Sequence, residues 1–242
     1  MSSESTRGVV YGIHPVGELL RQRPDEVERV YFLQGRQSPA LFDLLKQCRR
    51  RRLPYQMVPR QRLDQLSGDG VHQGVAALCA VREYTPFETI LAELDSKREP
   101  GLLLVPASVS DPHNLGSIVR SCVGFGVDAI LLEKGNTAPL TDTVAKSSAG
   151  MLEHAAICRP RSLEAAIDEL KGRGFRVVGA DVGAKKAPEA VPFSGPIVLI
   201  VGGEHSGIPP YLAKRCDERV RIPLDPRAES LNVSVACGIL LY

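Results

Sequence analysis

From Gly101 onward the chain alternates short apolar runs with amphipathic stretches, and this alternation restricts the fold more than any other feature. Residues 102–105, 128–132, 175–180 and 197–201 read as strands, and residues 115–125, 141–151 and 162–173 as helices. Strand and helix taking turns produce a parallel sheet covered on both faces, an α/β architecture. Ligands of such sheets sit beyond the carboxyl ends of the strands, so chemistry is expected in the segments that directly follow them.

The stretch before Gly101 reads differently. Residues 27–33, 55–58 and 74–81 form apolar strands, and residues 38–52 a helix with Ser38 as its cap and Pro39 at its first position. A polar turn, Ser67-Gly68-Asp69-Gly70, precedes the last of these strands. Residues 1–81 are therefore expected to make a small α/β domain, 82–98 a charged linker and 99–242 the parallel-sheet domain. Within the linker, Thr85-Pro86-Phe87-Glu88 has capping-box spacing and predicts a short helix. With 242 residues, 43% of them hydrophobic and 24% charged, the chain can bury a genuine core and is neither disordered nor fibrous. No apolar run approaches the roughly 18 residues of a membrane span, and the first eight residues lack the basic-then-apolar order of a signal peptide. Six scattered cysteines without a CxxC pair predict free thiols, no metal and a cytoplasmic protein.

Charge is unevenly spread. Residues 1–98 hold 15 Lys+Arg against 12 Asp+Glu, whereas 99–242 hold 15 against 16. Between Asp43 and Asp64 there is no acid but seven bases: Lys46, Arg49, Arg50, Arg51, Arg52, Arg60 and Arg62. A cluster of this kind attracts phosphate whatever the base sequence and points to a nucleic-acid partner. The plainer reading is a solvated helix end whose cations complement the dipole. Four consecutive arginines cover every side of a helix, so only some of them can meet a ligand.

Three segments after strands carry unusual polar residues. The first is Asp111-Pro112-His113-Asn114-Leu115-Gly116-Ser117-Ile118-Val119-Arg120, where Asn114 is placed to cap a helix and Arg120 lies a turn and a half further on. The second is Gly202-Gly203-Glu204-His205-Ser206-Gly207, whose glycines let backbone approach a ligand closely. It is neither a Walker loop, lacking the Lys-Ser/Thr, nor a GxGxxG dinucleotide turn. The third runs from Ile222 through Ser230-Leu231-Asn232-Val233-Ser234 into a final helix that is apolar almost all round and so expected to be buried in the domain or at a subunit interface. Ser230 and Ser234 read as its caps, which leaves Asn232 unexplained by capping.

Together these segments resemble the three signature motifs of the SpoU (TrmH-type) RNA ribose 2′-O-methyltransferases of the SPOUT superfamily, in order and in register over roughly 125 residues. In the front domain, Tyr11-Gly12-Ile13-His14 and Val71-His72-Gln73-Gly74 resemble the substrate domain of the RlmB branch, which methylates a guanosine in 23S rRNA. The resemblance implies a C-terminal trefoil knot, S-adenosylmethionine as methyl donor, rRNA as partner and a homodimer. It implies that Gly202, Ile222 and Leu231 contact the donor through their backbones and that Asn114, Arg120, Glu204, Ser230 and Asn232 surround the reacting ribose. It also implies RNA contacts from the front domain, at His14, Lys46, Arg49, Arg50, Arg51, Arg52, His72 and Gln73. One departure stands out: Leu224-Asp225-Pro226-Arg227 occupies a place where this branch carries a small Gly-containing turn. The rival readings are the same chemistry on tRNA, rRNA methylation that protects against an antibiotic, and a non-catalytic RNA-binding assembly factor.

Overall fold

The computed structural model describes residues 7–35, 38–68, 70–203 and 207–242, so Asp69, Glu204 and the first six residues lie outside the described residues. The chain resolves into two compact units, 1–83 with 140–154, and 84–139 with 155–242.

In the first unit, strands β1 (Arg7–Tyr11), β2 (Val27–Leu33), β3 (Tyr55–Val58) and β4 (Val75–Ala80) form a mixed sheet in the order β1-β4-β2-β3, with β2 and β3 parallel and the other pairs antiparallel. Helices α1 (Ile13–Gln22) and α2 (Pro39–Arg51) place Val16, Leu19, Leu20, Leu44 and Cys48 over Val30, Phe32 and Ala77, all buried. The opposite face carries Tyr31, Val58 and Ala76 against Leu63 of α3 (Arg60–Ser67), as the two-residue period of a strand requires. Ser38 caps α2 by accepting from the Leu41 N–H at 3.3 Å. The strands 27–33 and 55–58 fall where the sequence puts them. β1, α1 and α3 are additional elements that the sequence reading does not mark, although Val16, Leu19 and Leu20 of α1 carry helical spacing.

The second unit contains β5 (Leu102–Ala107), β6 (Ala129–Leu131), β7 (Ile157–Cys158), β8 (Arg176–Ala180), β9 (Ile197–Gly202) and β10 (Glu218–Val220). They form a six-stranded sheet, parallel throughout, in the order β10-β8-β9-β5-β6-β7. Helices α4 (Phe87–Ser96) and α7 (Leu163–Gly172) bury Ile90, Leu91, Ile167 and Leu170 against Leu103, Val105, Val177, Val198 and Ile200. The alternate strand residues Leu104, Ile130, Leu199 and Val201 are equally buried, on the side where α5 (Pro112–Gly124) and α9 (Val233–Leu241) pack together and α9 meets β9. Both faces are covered, which is why the strands read as continuous apolar runs.

Two expectations are corrected here. Helix α4 begins at Phe87 with Pro86 as its N-cap and no side-chain cap, so Thr85 does not form a capping box. Its N–H is instead spent on the Ile157 carbonyl at 2.7 Å. The helical stretch expected at 141–151 is the six-residue α6 (Asp142–Ser147), followed by a 3-10 turn at Met151–His154, and both belong to the first unit rather than to a face of the parallel sheet. All six cysteines are free, and burial pushes the thiols of Cys48, Cys79, Cys158 and Cys216 up to about 11, which keeps them protonated and unreactive.

Candidate active site

Beyond the carboxyl ends of β8, β9 and β10 lies a cleft of about 710 Å³. Its walls come from Ala180–Val182 at the end of β8, Val201–Gly203 and Gly207–Ile208 around the β9 loop, and most of the segment 220–236, though not Asn232. Four residues that the sequence named, Gly202 from the second motif and Ile222, Ser230 and Leu231 from the third, line it together, whereas no residue of the first motif does. Two glycines make the approach possible. A Cβ on Gly202 would stand 2.2 Å from the Gly207 carbonyl carbon, and one on Gly203 would stand 2.4 Å from the Ser108 carbonyl oxygen. Only a glycine fits at either place, because backbone cannot yield as a flexible side chain can.

The departure at Leu224-Asp225-Pro226-Arg227 closes without glycine. Asp225 Oδ1 accepts from the Arg227 N–H at 2.9 Å, and the Ala228 N–H donates to the Asp225 carbonyl at 2.9 Å, a side-chain-buttressed turn. The hydrogen bonds from the Arg227 guanidinium, 2.8 Å at its nearest, and from the Arg227 N–H hold the Asp225 carboxyl below the usual range.

Asn114 and Asn232 meet. Helix α5 is capped by Asp111, which accepts from the His113 N–H at 2.9 Å, so Asn114 is not the cap but sits within the first turn. Helix α9 is capped by Asn232 itself, not by Ser230 or Ser234. Its Oδ1 accepts from the Ser234 N–H at 3.0 Å, the Ser234 hydroxyl at 2.6 Å and the Val235 N–H at 3.4 Å. With the oxygen so committed, Nδ2 must face the other way, and it donates to Asn114 Oδ1 at 2.9 Å. The α9 N-terminus thereby dictates the rotamer of one amide and, through it, the orientation of the second. Arg120 is exposed on α5 and does not line the cleft.

In the first unit, His14, Lys46, Arg49, Arg50, Arg51, Arg52 and Gln73 are exposed. His72 is 7% exposed, and both its ring nitrogens are engaged: Nδ1 accepts from the Gly74 N–H at 3.0 Å and Nε2 lies 3.0 Å from Asp64 Oδ1. It holds a turn together rather than facing a ligand. The sequence reading missed Asp181, Val182 and Ile208 as cleft residues. Asp181 and Val182 directly follow β8, so the same strand-end rule that found the other loops would have found them. Among the described residues there is no group of three or more His, Cys, Asp or Glu able to hold a metal ion.

Two family models match the chain: the SpoU rRNA Methylase family over residues 101–242, and RNA 2′-O ribose methyltransferase substrate binding over residues 9–85. A protein of Staphylococcus haemolyticus named "Putative TrmH family tRNA/rRNA methyltransferase" is 32% identical over 234 residues, covering 97% of this chain and 93% of its own. The "23S rRNA (guanosine-2′-O-)-methyltransferase RlmB" of Coxiella burnetii is 34% identical over 233 residues, covering 96% and 93%. The fold is shared with the SpoU methyltransferase AviRb of Streptomyces viridochromogenes, solved in complex with AdoMet, at a TM-score of 0.81 and 24% identity over 98% of this chain and 88% of that one. A methyltransferase model over more than half of the chain, joined to relatives above 30% identity along nearly all of it, identifies this protein as a member of the SpoU rRNA methylase family.

Proposed function

We propose that this chain transfers the methyl group of S-adenosylmethionine to the ribose 2′-hydroxyl of a guanosine in 23S rRNA. The observation that carries the reading is the convergence on one cleft of Gly202 from the second motif with Ile222, Ser230 and Leu231 from the third. Its volume of about 710 Å³ suits a nucleoside-sized ligand. Leu224, Ile208 and Val220 offer apolar wall, Asp181, Asp225 and Glu229 acceptors for an ammonium or ribose hydroxyls, and Arg221 a partner for a carboxylate. The backbones of Gly202, Ile222 and Leu231 are assigned to the donor. When bound, the donor supplies a methyl carbon made electrophilic by its sulfonium.

The protein then has two tasks, aligning the 2′-oxygen and lowering the cost of removing its proton. Asn114 and Asn232, as a hydrogen-bonded pair of fixed orientation, are suited to holding the ribose, and Ser230, two residues before Asn232, lines the cleft. Arg120 cannot serve as a literal base, since a guanidinium has five N–H donors and no acceptor. Its exposed positive charge instead favours the developing alkoxide and the neighbouring phosphate. Glu204 is assigned to fixing that arginine.

The RlmB relative and the substrate-binding model over residues 9–85 support rRNA as the acceptor. The wider naming of the Staphylococcus relative keeps tRNA as the second reading. Lys46, Arg49, Arg50, Arg51, Arg52 and His14 are assigned to RNA. A homodimer and a trefoil crossing of the 222–242 segment belong to the same reading. Exposed Phe125, Val235, Ile239 and Tyr242 on and beside α5 and α9 support the first, and membership of the SpoU rRNA methylase family supports the second. The setting proposed is cytoplasmic, and no helix among the described residues is long and apolar enough to cross a membrane.

The test is methyl transfer from labelled S-adenosylmethionine to unmodified 23S rRNA and unmodified tRNA in parallel, with the labelled nucleotide mapped. Label on a guanosine 2′-oxygen of 23S rRNA is expected. Label confined to tRNA would keep the chemistry and overturn the substrate. Donor and RNA binding without turnover on either RNA would leave an assembly factor.

A further inference from the structure

Residues 140–154 lie inside the stretch matched by the methyltransferase model, yet they pack in the first unit. Strand β1 is an edge of that unit's sheet, and an open edge exposes unpaired backbone groups. Helix α6 covers it. Asp142 and Lys146, one turn apart and so on one face of α6, reach the middle and the C-terminal end of this edge.

The Asp142 carboxylate accepts from the Val9 N–H of β1. The Lys146 ammonium donates to the Val71 carbonyl at 2.8 Å and to Gln73 Oε1 at 3.3 Å, and lies 5.7 Å from the centre of the Tyr11 ring. Gln73 Oε1 is also bound by the Ile13 N–H at 3.0 Å. A Cβ on Gly12 would stand 2.4 Å from Lys146 Nζ. The two sequence motifs 11–14 and 71–74 thus form a receptor for one lysine. Further along, Glu153, with a side chain 3% exposed, is bound by Arg23 at 2.7 Å and Arg82 at 3.0 Å, and His154 lies 2.8 Å from Glu18.

We propose that Asp142 and Lys146 are positioning residues, which fasten the 140–154 segment of the methyltransferase region into the RNA-binding unit. The chain then passes between the two units at three places, after residues 83, 139 and 154, instead of through one linker. Short multiple tethers keep the effective concentration of bound RNA high for the rest of the enzyme. The consequence for RNA rests on the methyltransferase reading, whereas the joint itself does not.

The experiment compares full-length wild type, Lys146→Met, Lys146→Arg and Asp142→Ala by hydrogen exchange and by steady-state methylation of 23S rRNA. In Lys146→Met and Asp142→Ala, amides across 142–154 are expected to exchange at least tenfold faster, with β5 and β9 unchanged. The KM for RNA is expected to rise about tenfold, while kcat at saturating RNA and donor affinity stay within twofold, and Lys146→Arg recovers part of the loss. Unchanged exchange in both variants would overturn the joint. Faster exchange with an unchanged KM would overturn its role in substrate delivery, and a fall in kcat at constant KM would make Lys146 part of the chemistry. If Lys146→Met does not fold, Asp142→Ala carries the same comparison. If even wild type transfers no methyl, the exchange result still decides the joint while the proposed function fails.

Discussion

Asn232 has two roles that a substitution can separate. Its oxygen caps α9, and its nitrogen orients Asn114. Asn232→Asp keeps acceptors for the Ser234 and Val235 N–H groups and places a negative charge at a helix N-terminus, so thermal unfolding is expected to stay near wild type. The Asn114 amide would have to turn over to donate to the new carboxylate, presenting its oxygen where its N–H groups stood. A roughly 10²-fold loss of kcat at saturating RNA is expected, the size typical of misplaced orienting groups. Asn232→Ala should lose the same activity and in addition about 1 kcal/mol of stability. Equal stability losses in the two variants would show that the cap and the amide relay are not separable. Neither role could be read from the sequence, because Ser230, Asn232 and Ser234 are all good capping residues, and only the backbone angle at which α9 begins selects among them.

Single strands and helices carry the site by how they end. Residues 102–105 and 197–201 were legible as strands because burial on both faces leaves uninterrupted apolar runs, and their loops were legible as the site because glycine and polar residues replace those runs abruptly. α3 was not legible, since it buries little beyond Leu63 and Ser67, and no periodicity survives so few core contacts. Gly203→Ala tests the strand ends directly. A methyl 2.4 Å from the Ser108 oxygen pushes β9 and β5 apart at the cleft, and donor affinity should fall at least tenfold by calorimetry, with ~1–3 kcal/mol lost in unfolding. The opposite, amino ends of the strands are pinned by carboxylates. Asp128 accepts from the Leu102 N–H and pairs with Lys97, and Asp217 accepts from the Val177 N–H and pairs with Lys171, each N–H bond at 2.8 Å and each ion pair at 2.6 Å. For Asp217, burial alone would raise the carboxyl, but the hydrogen bonds from Lys171 and Val177 outweigh it and leave it below the usual value. A depressed carboxylate stabilises the fold above its unfolded value near pH 3.9 and loses that contribution as pH falls through the folded value. Asp217→Asn should lower Tm by about 2 °C at pH 7, the pair being solvent-screened, and the gap to wild type should close below about pH 4.

Across the whole molecule the basic cluster sorts itself once α2 is in place. Lys46, Arg49 and Arg50 share a stripe with exposed Phe42. Lys46 lies 4.6 Å from the Phe42 ring centre, and Arg49 donates to the Tyr55 hydroxyl at 3.2 Å. Arg52 instead ends the helix in the left-handed conformation, at φ 57°. Reversing Lys46, Arg49 and Arg50 to Glu should weaken RNA binding at least tenfold and flatten the log K against log salt slope by about 2, measured by filter binding from 50 to 200 mM salt. Arg52→Glu should change the slope by less than 1, and equal slopes for the two variants would return the cluster to a solvated helix end. The stripe of Lys46, Arg49 and Arg50 follows from the period of the helix expected over 38–52, whereas the left-handed turn that takes Arg52 out of it is not legible in the sequence. The grouping of 140–154 with the first unit has a further consequence, for synthesis. When residue 83 leaves the ribosome, β1 still lacks the segment that covers its edge, and roughly 70 more residues must follow before His154 is made. At ~5–20 residues per second, the nascent domain waits ~4–14 s with an uncovered strand, a window in which a chaperone or its own RNA is better placed to protect it than the rest of its chain.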